Sequence, residues 1–395
     1  METCVFADTQ LVTDKSSFIL EALNNRKALN LFRRLRTIDP IDEVTVNLEG
    51  KTVINFSSND YLGFSKHPAL KKRAIDYVKK YGAGSTASRL ICGSLPFFDD
   101  IEEKLAALKE TEKTLLFNSG FQANISIIPA LCDENTLILS DSLNHNSLIQ
   151  GIRLSKCRVI KYKHNDHNNL KMLLHESETK AYSRRLIVTE SVFSMDGDQS
   201  DIHSLVTISK AHGAFLIVDE AHATGVLGPK GMGLSCGKGV DLVIGTFGKA
   251  CGSFGAYVAC SKLIREYLIN FCTGLIFSTA LPPAVIGAID AALDLIPSLE
   301  DDRRELLQKA QHLRSSLQIL GWDTGKSSTQ IVPVIVGDAE KTLRLARYLE
   351  ESGFLCVPIR PPSVEDGRSR IRLSLTTAHT WDQIDNLIQT FRRFT

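Results

Sequence analysis

The chain has 395 residues, with 46 Lys and Arg against 45 Asp and Glu, a formal charge of +1. That balance excludes a nucleic-acid binder working by bulk electrostatics, and 43% hydrophobic with 23% charged residues is the range of globular proteins. A single core rarely grows beyond roughly 250–300 residues, so one large domain and a smaller one are expected.

The opening METCVFADTQ has acids but no basic stretch and no apolar run, so no secretory leader is expected. From Ser16 to Leu35, Phe18, Leu23, Leu31 and Leu35 fall at helical spacing and predict an amphipathic arm. VTVNLEG and KTVINFSS alternate on either side of Glu49-Gly50 and predict a hairpin. From about residue 110, short apolar runs alternate with helical stretches: TLLF (114–117), TLIL (136–139), RVIKY (158–162), RLIVTE (185–190), AFLIVDE (214–220), DLVIGT (241–246) and AYVAC (256–260). These predict βαβ units and a mostly parallel sheet covered on both faces, an α/β class. Ala284 to Ile296 is apolar but carries Asp290 and Asp294 and falls short of the ~20 residues of a membrane span. It is expected as a buried helix, and no membrane partner is expected. Beyond Leu281-Pro282-Pro283 the pattern changes to helix, helix, QIVPVIV, a helix over 338–352, FLCVPI, a Pro/Gly loop, RIRLSL and a closing helix. That predicts a smaller C-terminal α+β domain over 286–395, after an arm and hairpin over 1–60 and a large domain over 61–285. The nine cysteines (Cys4, Cys92, Cys132, Cys157, Cys236, Cys251, Cys260, Cys272, Cys356) form no CxxC motif. No disulfide framework, no structural zinc and a reducing cytoplasm are the expectation.

Ligands of an open parallel sheet bind beyond the carboxyl ends of its strands, so the residues after each run carry the chemistry. Asn118-Ser119-Gly120-Phe121-Gln122 opens a helix whose free amides suit a phosphate, or is a plain strand-to-helix turn. Asp219-Glu220-Ala221-His222 places an acid and a histidine at the sheet's mouth, unless Asp219 only caps a helix. A metal on His222 with Asp219, or on His164 and His167, lacks a third ligand at usable spacing, so no metal is expected. In Thr246-Phe247-Gly248-Lys249 a lysine ends a buried strand, and a desolvated lysine is a natural Schiff-base nucleophile. Together the three segments fit pyridoxal phosphate, with Lys249 bound to it and Asp219 keeping its ring nitrogen protonated. A nicotinamide site at Gly228, Gly231 and Gly233 is rejected, because these glycines follow no strand and have the wrong spacing.

Nearly the whole chain resembles the α-oxoamine synthases, fold-type-I pyridoxal-phosphate enzymes that join an amino acid to an acyl thioester with loss of CO2. The motifs are NFSSNDYLG (55–63), YGAGS (81–85), TESVFSMDGD (189–198), VDEAH (218–222), TFGK (246–249) and FSTALPP (277–283). The resemblance implies that His145 stacks over the ring, that Gly120 and Phe121 flank the cofactor, and that Ser194 and His222 lie near its phenolic oxygen. It implies Thr246 as a phosphate ligand, with Ser278 and Thr279 reaching the phosphate from a second subunit, hence a homodimer with shared sites. Asn59 and Arg372 resemble the pair that grips the amino-acid carboxylate, Arg33 an arginine contacting the acyl substrate, and Ser363 a substrate-position threonine.

Lys249, His145, Asp219 and His222 are thus the expected catalytic group, with the freed Lys249 amine as general base. Arg360-Pro361-Pro362-Ser363 is most similar to the biotin-pathway branch, which condenses L-alanine with a pimeloyl thioester on coenzyme A or acyl carrier protein. The glycine-using, acetyl-transferring branch is the alternative. Phe98, where many relatives have His, and Glu365-Asp366 depart from the pattern. A partner subunit without catalysis is disfavoured, because Lys249, Asp219 and His222 are all present.

Overall fold

The computed structural model describes residues 14–394; the METCVFADTQ segment and Cys4 lie outside them. Seven strands make the central sheet: β1 (Lys113–Phe117), β2 (Thr136–Asp141), β3 (Arg158–Tyr162), β4 (Arg184–Glu190), β5 (Phe215–Asp219), β6 (Leu242–Thr246) and β7 (Ala256–Cys260). Their order is β1-β7-β6-β5-β4-β2-β3. β7 runs antiparallel to both neighbours and the remaining pairs are parallel.

Side chains alternate between the two faces of a strand. Ile138, Leu186, Val188, Ile217 and Ile244 accordingly fill one core, and Leu137, Leu139, Ile187, Leu216 and Val218 the other. Each fully buried side chain of this kind contributes roughly 1.5–3 kcal/mol. The sheet is therefore apolar through its thickness, and polar residues collect where strands end. Glu190, Asp219 and Thr246 close β4, β5 and β6 side by side at their carboxyl ends.

The hairpin forms as expected, Thr45–Leu48 antiparallel to Lys51–Asn55. FLCVPI does not form one strand. Phe354–Leu355 joins the hairpin in parallel, while Pro358–Ile359 pairs with Ser369–Ser374 in a second sheet completed by Ile331–Gly337. Pro358 has no N–H to continue a ladder, and the Val357 amide leaves it to bond Ser57 Oγ at 2.9 Å. This split puts Asn59, after the hairpin, beside Arg372, on the middle strand of the second sheet.

The N-terminal arm departs from its expected amphipathic packing. Its helix spans only Ser17–Ala28, buries no residue, and leaves Phe18 and Leu35 exposed. The apolar segment near 284–296 is a buried-faced helix, Pro283–Leu295. Among the described residues no helix is long and apolar enough to cross a membrane.

Candidate active site

Lys249 sits in the turn after β6. That turn packs so closely that a side chain at Gly252 would meet the Phe64 backbone at 2.5 Å. Its Nζ lies 2.8 Å from His222 Nε2. Burial pulls the amine down to about 8, partly opposed by the nearby Asp219 and Glu190 carboxylates. Burial, with Lys249 and Arg372 close by, also keeps His222 well below its ordinary pKa, so its ring is neutral. His222 Nδ1 is 2.6 Å from the hydroxyl of the wholly buried Tyr61.

Asp219 is nearly inaccessible at the end of β5. Asn124 Nδ2 donates to its Oδ2 and the Ala221 amide to its Oδ1, both at 2.8 Å. His145 caps the helix Asn146–Leu154, its Nδ1 accepting from the Ser147 amide, and its own amide donates to Glu190 Oε1 at 2.5 Å. Desolvation of its ring by the surrounding protein lowers His145, and burial raises the wholly buried Glu190 carboxyl well above its usual range, with Asp219 adding to the latter. Arg372 donates to the Ser194 carbonyl at 2.5 Å, to Ser374 Oγ at 2.6 Å and to Asn59 Oδ1 at 3.1 Å. All are neutral acceptors, so the guanidinium keeps its charge for an incoming anion.

Asn59, His145, Ser194, His222, Lys249 and Arg372 line one cleft of about 280 Å³. Gly120 and Phe121 are the first two residues of the helix Gly120–Ala130, so their amides have no intrahelical acceptor. Gly120 lies against Thr246, where an added Cβ would be 3.9 Å from the threonine Cβ. Ser278 and Thr279 are elsewhere, Ser278 accepting from Gln122 and the Thr279 carbonyl from Asn118. Arg33 lines a different cleft, and Ser363 is exposed on a turn outside both. Phe98 is buried beneath the Arg89 guanidinium, 4.5 Å from its ring centroid, and Glu365 and Asp366 are exposed.

Three participants had no role from sequence alone. Tyr61 stood inside a quoted motif. Glu190 ends a strand and was reachable by the same reading that found Asp219. Asn124, one helical turn past Gly120, gave no signal. His164 bridges Asp141 at 2.9 Å and Asp198 at 2.8 Å. Among the described residues no cluster suited to a metal ion occurs. Gly233 belongs to a turn that folds over the Glu220 carboxylate, where a Cβ would overlap Oε2 at 2.0 Å.

The arrangement fits pyridoxal phosphate: a buried amine of lowered pKa, a fixed carboxylate for the ring nitrogen, an imidazole beside them, and a helix N-terminus with a hydroxyl for the phosphate. Residues 51–391 match the family profile of class I and II aminotransferases. The 8-amino-7-oxononanoate synthase of Gluconacetobacter diazotrophicus is 48% identical over 379 residues, 94% of this chain and 95% of that protein. A Desulfosudis oleivorans protein provisionally given the same name is 55% identical over 377 residues, 95% of this chain and 98% of its own. Sphingomonas wittichii serine palmitoyltransferase superposes with a TM-score of 0.89 at 26% identity, over 97% of this chain and 98% of that one. On a profile match over most of its length and relatives of this identity, the chain belongs to the class I and II aminotransferase family and, within it, to the α-oxoamine synthases, fold-type-I enzymes that carry pyridoxal phosphate.

Proposed function

We propose that the protein condenses L-alanine with a pimeloyl thioester, giving 8-amino-7-oxononanoate, CO2 and the free thiol, as a cytoplasmic enzyme of biotin synthesis. The observation that carries the reaction class is one cleft holding the buried Lys249 amine beside an Arg372 guanidinium with only neutral partners. The choice of alanine and pimeloyl thioester rests on the relatives' names.

Asp219 would hold the cofactor's ring nitrogen, His145 its face, Ser194 and His222 its phenolic oxygen, and Thr246 with the Gly120 and Phe121 amides its phosphate. When bound, pyridoxal phosphate supplies an electron sink for negative charge at the amino acid's α-carbon. Arg372 and Asn59 grip the substrate carboxylate and so orient the α-proton. The Lys249 amine, lowered to about 8 and so partly neutral near neutral pH, takes that proton as general base. His222, neutral and held by Tyr61, shares a hydrogen bond with that amine and keeps it aimed. Asn124 and the Ala221 amide each donate to Asp219 and fix its carboxyl group in a site where an unsupported polar group is costly. Ser278 and Thr279 would complete the phosphate site of a second copy. The strong exposure of Phe277, next to them, and of Ile91 supports a homodimer.

The test is product mass spectrometry with purified protein. It pairs pimeloyl thioesters with alanine, glycine or serine, acetyl thioester with glycine, and palmitoyl thioester with serine. An 8-amino-7-oxononanoate mass from pimeloyl thioester and alanine alone is expected. Product only from acetyl or palmitoyl donors would refute the substrate assignment and leave the reaction class intact.

A further inference from the structure

The loop after Phe193 reaches from the large domain to the strand Ser369–Ser374, where two buried arginines receive it. Arg370 and Arg372 are two residues apart, so they leave the same face of the strand with their Cα atoms about 7 Å apart. They hold successive parts of the loop. Arg372 Nε donates to the Ser194 carbonyl at 2.5 Å, and Arg370 Nη1 to the Met195 carbonyl at 3.0 Å and to Asp196 Oδ1 at 2.7 Å.

Charge is divided unequally between the two. Arg370 takes the Asp196 carboxylate, in an ion pair whose arginine is nearly inaccessible and whose acid keeps partial access to solvent. Arg372 is left with the Ser194 carbonyl, Ser374 Oγ, Asn59 Oδ1 and the Tyr61 hydroxyl, all neutral. Asp198, the other acid of this loop, is held by His164 at 2.8 Å.

The loop does not need Arg370 to moor it. The Gly197 carbonyl accepts from Thr329 Oγ at 2.8 Å and from the Ser328 amide at 3.0 Å, and Gln199 Nε2 donates to Ser328 Oγ at 2.9 Å. At Gly197, where φ is +68°, a side chain would run into the Ile331 carbonyl. Met195 lines the Lys249 cleft together with Arg372, so Asp196, the next residue, stands at its edge. A carboxylate freed there is drawn to the uncommitted Arg372 charge by the same attraction that draws a substrate carboxylate.

We infer that Arg370 is a positioning residue for the amino-acid substrate: by holding Asp196 it keeps that acid off Arg372 and leaves the Arg372 charge open to the incoming carboxylate. The inference rests on the reading of Arg372 as the partner of that carboxylate. Arg370 therefore acts on amino-acid affinity through a charge it removes from competition, and not through any contact of its own with substrate.

The test compares cofactor-loaded wild type with Arg370→Gln, Asp196→Asn and the double variant. Binding of L-alanine and of propionate is measured by calorimetry, and KM for L-alanine and for pimeloyl thioester by turnover. Propionate has alanine's carboxylate and methyl group but no amine, so it reads the anion site without turnover. Arg370→Gln is expected to weaken both ligands about tenfold and to raise KM for L-alanine alike, with KM for the thioester unmoved. Asp196→Asn leaves Arg370 its carbonyl partners and should bind both ligands as wild type does. The double variant should recover wild-type binding, because the competing anion is gone. A residue that only ties two domains together gives a different order, with the double variant no better than Arg370→Gln. That order, unchanged binding in Arg370→Gln, or wild type that binds no propionate would each overturn the inference. Should Arg370→Gln not fold, Arg370→Lys keeps a cation with poorer carboxylate geometry. A partial loss that Asp196→Asn reverses is then expected, and a loss without reversal overturns the inference equally. Wild type that forms no product from alanine, with propionate still following the expected order across the variants, would retire the functional reading and keep the role of Arg370.

Discussion

Tyr61→Phe isolates the contact that orders His222. The side chain is wholly buried, and its hydroxyl lies 2.6 Å from His222 Nδ1, 3.1 Å from Asn59 Oδ1 and 3.3 Å from Arg372 Nη2. Phenylalanine keeps the ring in the core and deletes one oxygen. Arg372 and Asn59 still bond each other, so the main orphan is His222 Nδ1. An unsatisfied buried polar atom costs about 1–3 kcal/mol. At roughly 2.1 cal/mol/K of unfolding entropy per residue over 395 residues, Tm should fall by about 1–4 °C. The chemical effect is larger than the stability effect. The hydroxyl against Nδ1 fixes which ring nitrogen carries the neutral imidazole's single proton, and with it what Nε2 offers Lys249; without it the proton can sit on either nitrogen. Misdirected tautomers and a less fixed amine should lower kcat about tenfold, or ~1.4 kcal/mol in the barrier. The assay combines kcat at saturating substrates, thermal unfolding, and 15N NMR of labelled histidine to read the His222 tautomer. An unchanged tautomer with kcat within about twofold of wild type would refute the reasoning.

Lys249→Ala should abolish turnover and covalent retention of the cofactor, checked by visible absorbance after gel filtration. In cofactor-free enzyme the rate of cofactor capture should rise with pH through a midpoint of about 8, where the buried amine loses its proton; a rate flat between pH 7 and 9.5 contradicts the burial argument. Because this lysine's folded pKa lies below its ordinary value of 10.5, the unfolded chain binds more protons between those pH values, and stability from this group rises with pH there. His164 behaves oppositely. Although burial lowers it, Asp141 and Asp198 together raise it to about 10. Its stabilisation is fully present below the ordinary pKa of 6.5 and is lost as pH rises through about 10, and its NMR shifts should be those of an imidazolium at pH 8. Lys109 and Glu220 form a buried pair at 2.7 Å. Lys109→Met alone should cost about 3–5 kcal/mol in urea unfolding, and Lys109→Met with Glu220→Gln should recover most of that.

How far the molecule could be read from its residues depended on the range of the interactions involved. The strands of the central sheet were legible because apolar runs flanked by helical periodicity have few alternatives, and RVIKY and AYVAC form over their expected residues. The antiparallel sense of β7 was not, since direction is set by which neighbours a strand meets. The arm was misjudged because spacing marks an apolar stripe without saying what covers it, and among the described residues nothing buries this one.

The site divides along the same line. Asp219 and Lys249 were accessible from order alone, since each ends or follows a buried strand where a polar group needs a reason. Arg372 could equally have been a surface residue of an alternating strand. It took the splitting of FLCVPI between two sheets, and a separation of 313 residues from Asn59, to bring the pair within 3.1 Å. Local sequence determined the residue types, the strand ends and the lysine that follows a buried strand, because propensity and burial act over a few residues. Only tertiary structure decided that Tyr61 orders His222, that Asn124 holds Asp219, and that Arg360 reaches the Asn30 carbonyl of the arm, because hydrogen bonds and charges act through space between segments the chain keeps far apart.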